Sequence, residues 1–197
     1  DSFFVKIVIT MFVVFVTAFY ALQTHITVAT STFPTWDLFR HATKSHHFRP
    51  FNIHFRQYDT YNKVVEAFVT GEVDAATLTL YEAILAADQL DGNVSIVLLL
   101  DYTVGSDGVV VNTEVNHLTD IRHKRLGAEK GAVSHFTLLK AIEKAGLSKE
   151  DVEIVFADQA ELQKQFEKGM IDGFSTYDPY LYEQKLIKSV FTFKIYA

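Results

Sequence analysis

The chain has 197 residues, of which 49% are hydrophobic and 21% are charged. This composition is typical of a folded globular chain with room for one large domain or two small ones. With 18 basic against 24 acidic side chains, the formal net charge of −6 argues against general nucleic-acid binding, which needs a basic face. The absence of cysteine excludes disulfides, cysteine-ligated zinc, iron–sulfur clusters and a thiol nucleophile.

The first segment has the composition of a targeting or anchoring signal. Lys6 precedes an uncharged, mostly apolar run at 7–22, which is short for a spanning helix of about 20 residues. Small residues at 18 and 21 suit cleavage of a secretory signal. We therefore predict that residues 1–22 are a signal peptide or an uncleaved membrane anchor, with a buried helix as a third alternative. Either of the first two would make the rest of the chain periplasmic or extracellular.

Strand and helix patterns alternate after the signal, and we predict that residues 23–104 form a first lobe. Alternating or continuous apolar patterns predict strands at 26–30, 52–57, 73–80 and 94–100. Helical spacing predicts helices near 38–42, from an N-cap at Asp59 to Gly71, and at 81–90. The run at 94–100 is almost wholly apolar, which is typical of a strand buried in a sheet.

The same order of elements returns in residues 105–197, which we predict to be a second lobe. Strands are predicted at 126–128 and 152–156, and helices end at Gly146 and Gly169. Phe68, Gly71 and Asp74 recur as Phe166, Gly169 and Asp172, and the offsets 166−68, 169−71 and 172−74 are all 98. Asp59 and Asp158, and likewise Ala29 and Ala128, are 99 apart. This spacing indicates a duplicated unit rather than a solenoid repeat of roughly 20–50 residues.

Strands that alternate with helices predict parallel pairing, with helices on both faces of each sheet. Ligands of open α/β sheets lie beyond the carboxyl ends of the strands, near helix N-termini. Polar loops fall there in both lobes, at 31–36, 77–81, 130–135 and 175–178. We expect these four loops to surround one small molecule in a cleft. The segment 101–109, with glycines at 105 and 108, is a plausible hinge for closure of the lobes.

Three segments of the second half resemble the solute-binding proteins of ABC importers. They are GVVVN at 108–112, LTDIRHKRLGAEKGAVSHFTLLKAIEKAGLSKEDVEIV at 118–155 and FEKGMIDGFSTYDPYL at 166–181. The group they are most similar to binds nitrate, sulfonates, taurine and thiamine-pyrimidine precursors. The resemblance covers roughly residues 26–190 and implies an α/β periplasmic-binding fold of type II, with two βαβ lobes around a cleft.

Carried over by position, the resemblance assigns ligand-binding residues to both lobes. In the first lobe these are Ser31, Thr32, Phe33, Trp36, Thr77, Thr79 and Tyr81. In the second lobe they are Ser134, His135, Ser175, Tyr177 and Asp178, with the backbone at Ala132 and Val133 completing an anion cradle at a helix N-terminus. Tyr177 stands where the family often has tryptophan. Family members usually continue beyond this point and return to the first lobe, so the resemblance implies a fragment or a reduced first lobe.

Simpler interpretations remain open for several of these residues. Ser134 is equally well explained as an ordinary N-cap, and Trp36 either lines the cleft with Tyr81 or packs on its own helix. Asp74 and Asp172 are better explained as structural turn carboxylates than as a catalytic pair. His41, His46, His47 and His54 match no zinc-binding spacing, and we predict neither a metal nor a cofactor.

The resemblance implies a non-enzymatic, monomeric receptor for a small anionic or heterocyclic solute, with a membrane ABC permease as its partner. A sensory ectodomain of the same fold, anchored through residues 7–22, is one alternative. A pyrimidine-precursor synthase is the other, although only Lys130 and His135 offer cofactor-type chemistry at the cleft.

Overall fold

The computed structural model describes residues 2–21, 25–46, 52–187 and 191–194. Its helices are α1 (Ser2–Ala21), α2 (Asp37–Lys44), α3 (Tyr61–Val69), α4 (Leu80–Gln89), α5 (Val133–Lys144), α6 (Gln159–Glu167) and α7 (Tyr180–Ile187). Its strands are β1 (Ile26–Thr30), β2 (Ile53–Gln57), β3 (Ala75–Ala76), β4 (Asp107–Val111), β5 (Arg125–Ala128), β6 (Glu153–Phe156), β7 (Gly173–Tyr177) and β8 (Phe191–Lys194).

Helix α1 covers most of the segment predicted to be a signal or an anchor. Its described side chains from Ile7 to Phe15 are exposed and do not join the core. In the part of the chain that the structure describes, no helix is long and apolar enough to span a membrane. Residues 1 and 22 lie outside the described residues, and a signal peptide over 1–22 stays a prediction.

The first lobe contains a parallel sheet of three strands in the order β2-β1-β3. Its small core lies between β1 and α3, where Ala29, Val64, Ala67 and Val73 are buried. Helix α3 begins after Thr60, whose side chain accepts a hydrogen bond from the backbone N–H of Lys63 at 3.3 Å. The N-cap is therefore Thr60 and not Asp59, because Asp59 instead pairs with the Lys63 ammonium at 2.7 Å.

Two strands predicted in the first lobe differ in the structure. The strand expected at 73–80 shrinks to β3. On one side, the Asp74 carboxylate accepts a hydrogen bond from the backbone N–H of Thr27, and on the other, Thr79 already caps α4. The run at 94–100 is irregular and largely exposed, with Val97 89% and Leu99 81% accessible. A strand needs a neighbour for its backbone N–H and C=O groups, and the described residues supply no strand beyond β3 to pair with this run.

The second lobe contains a sheet of five strands in the order β6-β5-β7-β4-β8. Strand β5 pairs in parallel with β6 and β7, as predicted. Strand β4 runs antiparallel to both β7 and β8, because it enters the sheet directly from segment 101–106 rather than through a helix. Two apolar clusters cover the two faces of the sheet, one around Leu126 and Leu138 and one around Leu162 and Phe174.

Matching hydrogen bonds confirm that the two lobes repeat one unit. The Asp74 carboxylate accepts from the backbone N–H of Thr27, and the Asp172 carboxylate accepts from that of Arg125, both at 2.8 Å. The offsets 172−74 and 125−27 are both 98. These aspartates are turn carboxylates, as the simpler interpretation held. The lobe boundary after residue 104 and the hinge at 101–109 stay predictions.

Candidate ligand-binding site

A cavity of about 140 Å³ lies where the carboxyl end of β1 faces the carboxyl end of β7 across the two lobes. Both lobes contribute to its walls, and two of the four predicted loops, 31–36 and 175–178, line it. The lining residues are Ser31, Thr32, Phe33, Asp59, Thr60, Tyr61, Tyr177, Pro179 and Tyr180. A volume this small suits a solute of a few heavy atoms, since pockets for drug-sized ligands measure roughly 300–1,000 Å³.

Four aromatic rings form the walls of this inter-lobe cavity. The ring of Tyr177 is central, and its centroid lies 6.4 Å from that of Phe33, 6.1 Å from that of Tyr61 and 6.3 Å from that of Tyr180. The three partner rings stand at 70°, 80° and 81° to it. Edge-to-face contacts of this kind are favourable, so the rings hold each other in place around the cavity.

Glu129 lies behind Tyr177 and is only 6% exposed. It follows β5 directly, and its Oε2 accepts from the Tyr177 hydroxyl at 3.1 Å and from Gln159 Nε2 at 3.0 Å. Burial raises the pKa of the Glu129 carboxyl above its ordinary value, and these two hydrogen bonds offset part of the shift. The carboxylate fixes the orientation of Tyr177 and brings buried negative charge close to the cavity.

Glu82 joins the two lobes at the N-terminus of α5. It belongs to α4 in the first lobe and is fully buried, and its Oε1 accepts from the backbone N–H of Val133 in the second lobe at 2.7 Å. Its Oε2 accepts from the backbone N–H of Thr79 at 3.2 Å and closes the capping box of α4. Burial raises the pKa of Glu82, and the hydrogen bonds to it oppose that shift.

Of the predicted residues in the first loop, Ser31, Thr32 and Phe33 line the inter-lobe cavity. Ser31 is 4% exposed, and its hydroxyl accepts from Trp36 Nε1 at 3.1 Å. Trp36 stacks on Phe39 with centroids 6.4 Å apart and lies outside the lining of this cavity. It packs the loop onto its helix and also lines the larger cavity described below, so both interpretations stay open.

The predicted residues of the second loop lie outside the inter-lobe cavity. The Thr77 hydroxyl donates to the Ala29 carbonyl at 3.3 Å, and the Thr79 hydroxyl bonds to the Glu82 carboxylate. Tyr81 stacks on Phe136 of the second lobe, with ring centroids 5.1 Å apart. These residues hold α4 against β1 and against the other lobe, and a role for Trp36 and Tyr81 in sandwiching a ligand stays a prediction.

In the second lobe only Tyr177 among the predicted residues lines the inter-lobe cavity. The Ser134 hydroxyl accepts from the backbone N–H of Glu129 at 3.1 Å, and Ser175 is fully buried in the sheet. The His135 ring packs edge-to-face on Phe156, and burial lowers the pKa of this histidine. The backbone N–H of Asp178 donates to the Ser106 carbonyl at 3.0 Å.

The predicted anion cradle at α5 has internal partners for its donors. The backbone N–H of Val133 is bonded to Glu82, and the hydroxyl of Ser134 to Glu129. The backbone N–H of Gly131 donates to His135 Nδ1 at 3.4 Å. A carboxylate of the protein itself therefore occupies the position at the helix N-terminus that a solute anion was expected to take.

The duplication could have identified one of the residues that the sequence prediction missed, because adding 98 to the predicted Ser31 gives Glu129. Tyr61, which lines the cavity, and Gln159, which bonds Glu129, are also 98 apart, but neither was predicted. Glu129 also stands directly at the carboxyl end of β5, the place where polar residues were sought. Tyr180 carried no such signal, because its equivalent in the first lobe, at 180−98, is Glu82, which was not a predicted ligand residue.

A larger cavity of about 790 Å³ lies beside β3 in the first lobe. The exposed run at 94–100 and the residues from 74 to 80 supply half of its lining residues, and it shares Phe33, Tyr61 and Tyr177 with the inter-lobe cavity. The predicted residues Trp36, Thr77 and Thr79 also line it, as does Val133, so each of the four predicted loops reaches this cavity. This space is the gap between the open edge of the three-stranded sheet and the unpaired run. It is bounded chiefly by one lobe, which distinguishes it from the inter-lobe cavity.

Comparison with known proteins supports this two-lobed arrangement. Residues 94–188 match the NMT1/THI5-like family model. The taurine-binding periplasmic protein of Escherichia coli (strain K12) is 25% identical over 127 residues, which are 64% of this chain and 39% of that protein. A second protein of that strain, named for binding aliphatic sulfonates, is 29% identical over 72 residues, 36% of this chain and 23% of its own length.

Solved structures share the fold at low sequence identity. The alkanesulfonate-binding protein SsuA of Xanthomonas axonopodis pv. citri aligns with a TM-score of 0.72 and 17% identity, over 85% of this chain and 59% of that one. The nitrate-binding protein NrtA of Synechocystis PCC 6803 aligns with a TM-score of 0.66 and 10% identity, over 86% and 50%. These matches confirm the predicted resemblance and the α/β periplasmic-binding fold.

The chain spans 23% and 39% of the two curated relatives and less than 60% of these two structures. The relatives bear the names of binding proteins rather than of enzymes, as the resemblance implied. Within the described residues, no group of three or more metal-ligating side chains is positioned to hold an ion. His47 lies outside the described residues.

Proposed function

We propose that the chain is the solute-binding part of an extracytoplasmic receptor that serves an ABC-type importer. The observation that carries this proposal is the small inter-lobe cavity, whose walls come from residues of both lobes. A solute that touches both lobes stabilises the arrangement in which they meet, which is how a binding protein senses its ligand. The permease partner and an export signal at 1–22 belong to the same proposal.

The solute is a small anion or heterocycle of the sulfonate, nitrate or pyrimidine class. The names of the relatives support this class, and the volume of the cavity supports the size. Thermal-shift measurements on the full chain with taurine, ethanesulfonate, nitrate, pyrimidines and amino acids test it. A ligand present at 100 times its dissociation constant stabilises the folded state by about 2.7 kcal/mol, which is a readily measured shift. If no solute of the panel raises the melting temperature, the proposal fails.

Variants from each lobe show whether the solute lies in the inter-lobe cavity. Phe33→Ala removes a wall from the first lobe, and Tyr180→Ala removes one from the second; both should weaken binding. Tyr182→Ala is the matched control, because Tyr182 is on the same helix as Tyr180, is 60% exposed and does not line the cavity. Binding that survives both wall variants would locate the solute elsewhere.

A further inference from the structure

The charges around the inter-lobe cavity are predominantly negative. No lysine, arginine or histidine is among its described lining residues. Burial raises the pKa of the Tyr180 hydroxyl, and the nearby carboxylates of Glu129, Glu183 and Asp158 raise it further. Asp59 is the one charged residue of the lining, and it is exposed and already paired with Lys63. The surroundings of the cavity therefore favour positive charge inside it.

Two buried carboxylates near the cavity have no cationic partner. Glu82 is 0% exposed and Glu129 is 6% exposed, and neither takes part in any ion pair of the described residues. A buried charge without an opposite charge is costly. Burial raises the pKa of both carboxyls, and their hydrogen bonds offset only part of that shift, so a cation held close to Glu129 would favour its charged form.

The shape of the cavity suits a cation as well. Phe33, Tyr61 and Tyr180 surround Tyr177 at centroid distances of 6.1–6.4 Å and at steep angles, so the rings form the sides of a small box. Ammonium groups bind within about 6 Å of aromatic ring centroids because the ring faces are electronegative. At the α5 N-terminus, where an anion was expected, the backbone N–H of Val133 already donates to Glu82, and the Ser134 hydroxyl donates to the Glu129 carboxylate at 3.5 Å.

We propose that the inter-lobe cavity selects solutes that carry an ammonium group, held by the aromatic box and the buried Glu129 carboxylate. This inference rests on the proposed receptor function and narrows its solute class from simple anions to amines and zwitterions. An anionic end of the same solute would face the hydroxyls of Ser31, Thr32 and Thr60 on the other side of the cavity.

Matched probes distinguish recognition of the ammonium group from recognition of the anion. Taurine carries an ammonium and a sulfonate, ethanesulfonate carries the sulfonate alone, and tetramethylammonium carries the cation alone. Calorimetric titration of the full chain should give an affinity for taurine at least about tenfold above that for ethanesulfonate, with detectable binding of tetramethylammonium. Equal or tighter binding of ethanesulfonate would overturn the ammonium proposal and leave the receptor function standing. Failure of every solute in the wider panel would overturn both.

Variants locate the recognition of the cation. Glu129→Gln keeps the shape and removes the charge, and Tyr180→Leu removes a ring and keeps an apolar wall. Each should weaken taurine binding by about 3- to 30-fold and change ethanesulfonate binding by less than about twofold. Glu150→Gln and Tyr182→Leu, exposed residues outside the cavity, are controls that should leave both affinities unchanged. Equal losses for the two ligands in Glu129→Gln would contradict the proposal, and the melting temperature of each variant without ligand shows whether it folds.

Discussion

The two lobes are built from one duplicated unit, yet the sheet of the second lobe has five strands and that of the first has three. The difference lies in the strand next to β7, since the first lobe has no described equivalent of that strand beyond β3. In the second lobe β4 enters from the crossing segment and provides an edge for β8. Subtracting 98 from β8 (Phe191–Lys194) gives residues 93–96 of the first lobe, the start of the exposed apolar run. This run therefore lacks what β8 has, a neighbouring antiparallel strand.

The positions of glycine reflect the same difference in strand number between the two sheets. Gly173 in β7 corresponds to Ala75 in β3, since 173−98 is 75. A Cβ on Gly173 would lie 2.4 Å from the carbonyl oxygen of Val110 in β4. Because the first lobe has no described strand on the side of β3 away from β1, its alanine meets no such obstacle there. Whether glycine or alanine stands at this position therefore depends on the presence of the neighbouring strand as well as on the repeated unit.

Gly173→Ala should give the largest loss of stability. The added methyl meets a backbone carbonyl that cannot rotate away, and overpacking of this kind costs about 3 kcal/mol. Ala75→Gly, the reciprocal change in the first lobe, should cost about 1 kcal/mol through backbone entropy. Urea denaturation measures both. Similar losses at the two positions would show that the neighbour strand is not the cause of the glycine.

A second pair of equivalent positions shows compensation between the lobes. The first lobe has Ala29 packed on Val64, and the second has Gly127 packed on Leu162; both pairs differ by 98. A Cβ on Gly127 would lie 2.5 Å from Leu162 Cδ2. The larger leucine thus takes the space that the alanine methyl occupies in the first lobe.

Gly127→Ala alone should therefore cost about 2 kcal/mol, and Leu162→Val alone about 1 kcal/mol. The double variant reproduces the pairing of the first lobe, so it should cost at least about 1 kcal/mol less than the sum of the two. A double-variant cycle by urea denaturation measures this coupling. If the two losses of stability simply add in the double variant, Leu162 does not compensate for the methyl group that Gly127 lacks.

The equivalent positions Ser31 and Glu129 at the cavity differ in charge: the serine is neutral and the glutamate can ionise. Because burial raises the pKa of Glu129, its contribution to stability is full below its ordinary pKa of about 4.5 and is lost as pH rises through the raised value. Glu129→Gln lacks this loss, so its stability relative to the parent chain should increase between pH 4 and pH 8. Urea midpoints across this range, with Glu150→Gln as a control for loss of a surface charge, test the sign. A relative stability that falls with pH would contradict it.

Much of the fold could be predicted from the chain, and the errors have local causes. Strand β1 and the Asp74 and Asp172 turns follow from alternation and from the repeat, since these signals lie within the unit itself. The offset of 99 for Asp59 and Asp158 was wrong by one residue, because Asp59 and Thr60 are both good N-caps and only the structure shows that Thr60 bonds Lys63. The run at 94–100 was predicted as a strand from its apolar residues, but pairing depends on a neighbour that its own pattern does not encode.

The candidate site was predictable in its position and less so in its residues. Ser31, Thr32, Phe33 and Tyr177 follow from the rule that ligands lie at carboxyl strand ends. The role of Glu82 depends on how the two lobes meet, which no local pattern specifies. Its carboxylate reaches the backbone N–H of Val133, 51 residues away in the chain, and occupies the place that was expected for a solute.

Substitutions in the exposed run should have the smallest effect on stability and test its lack of a partner. Val97 is 89% accessible, so Val97→Lys should change the free energy of unfolding by no more than about 0.5 kcal/mol. Val110→Lys in β4, where the valine is fully buried, should unfold the second lobe and serves as the contrast. Urea denaturation measures the first variant, and light scattering should show less self-association because a charge interrupts an exposed apolar patch. A loss above about 2 kcal/mol in Val97→Lys would mean that the run is paired in solution and that the two sheets are more alike than the structure shows.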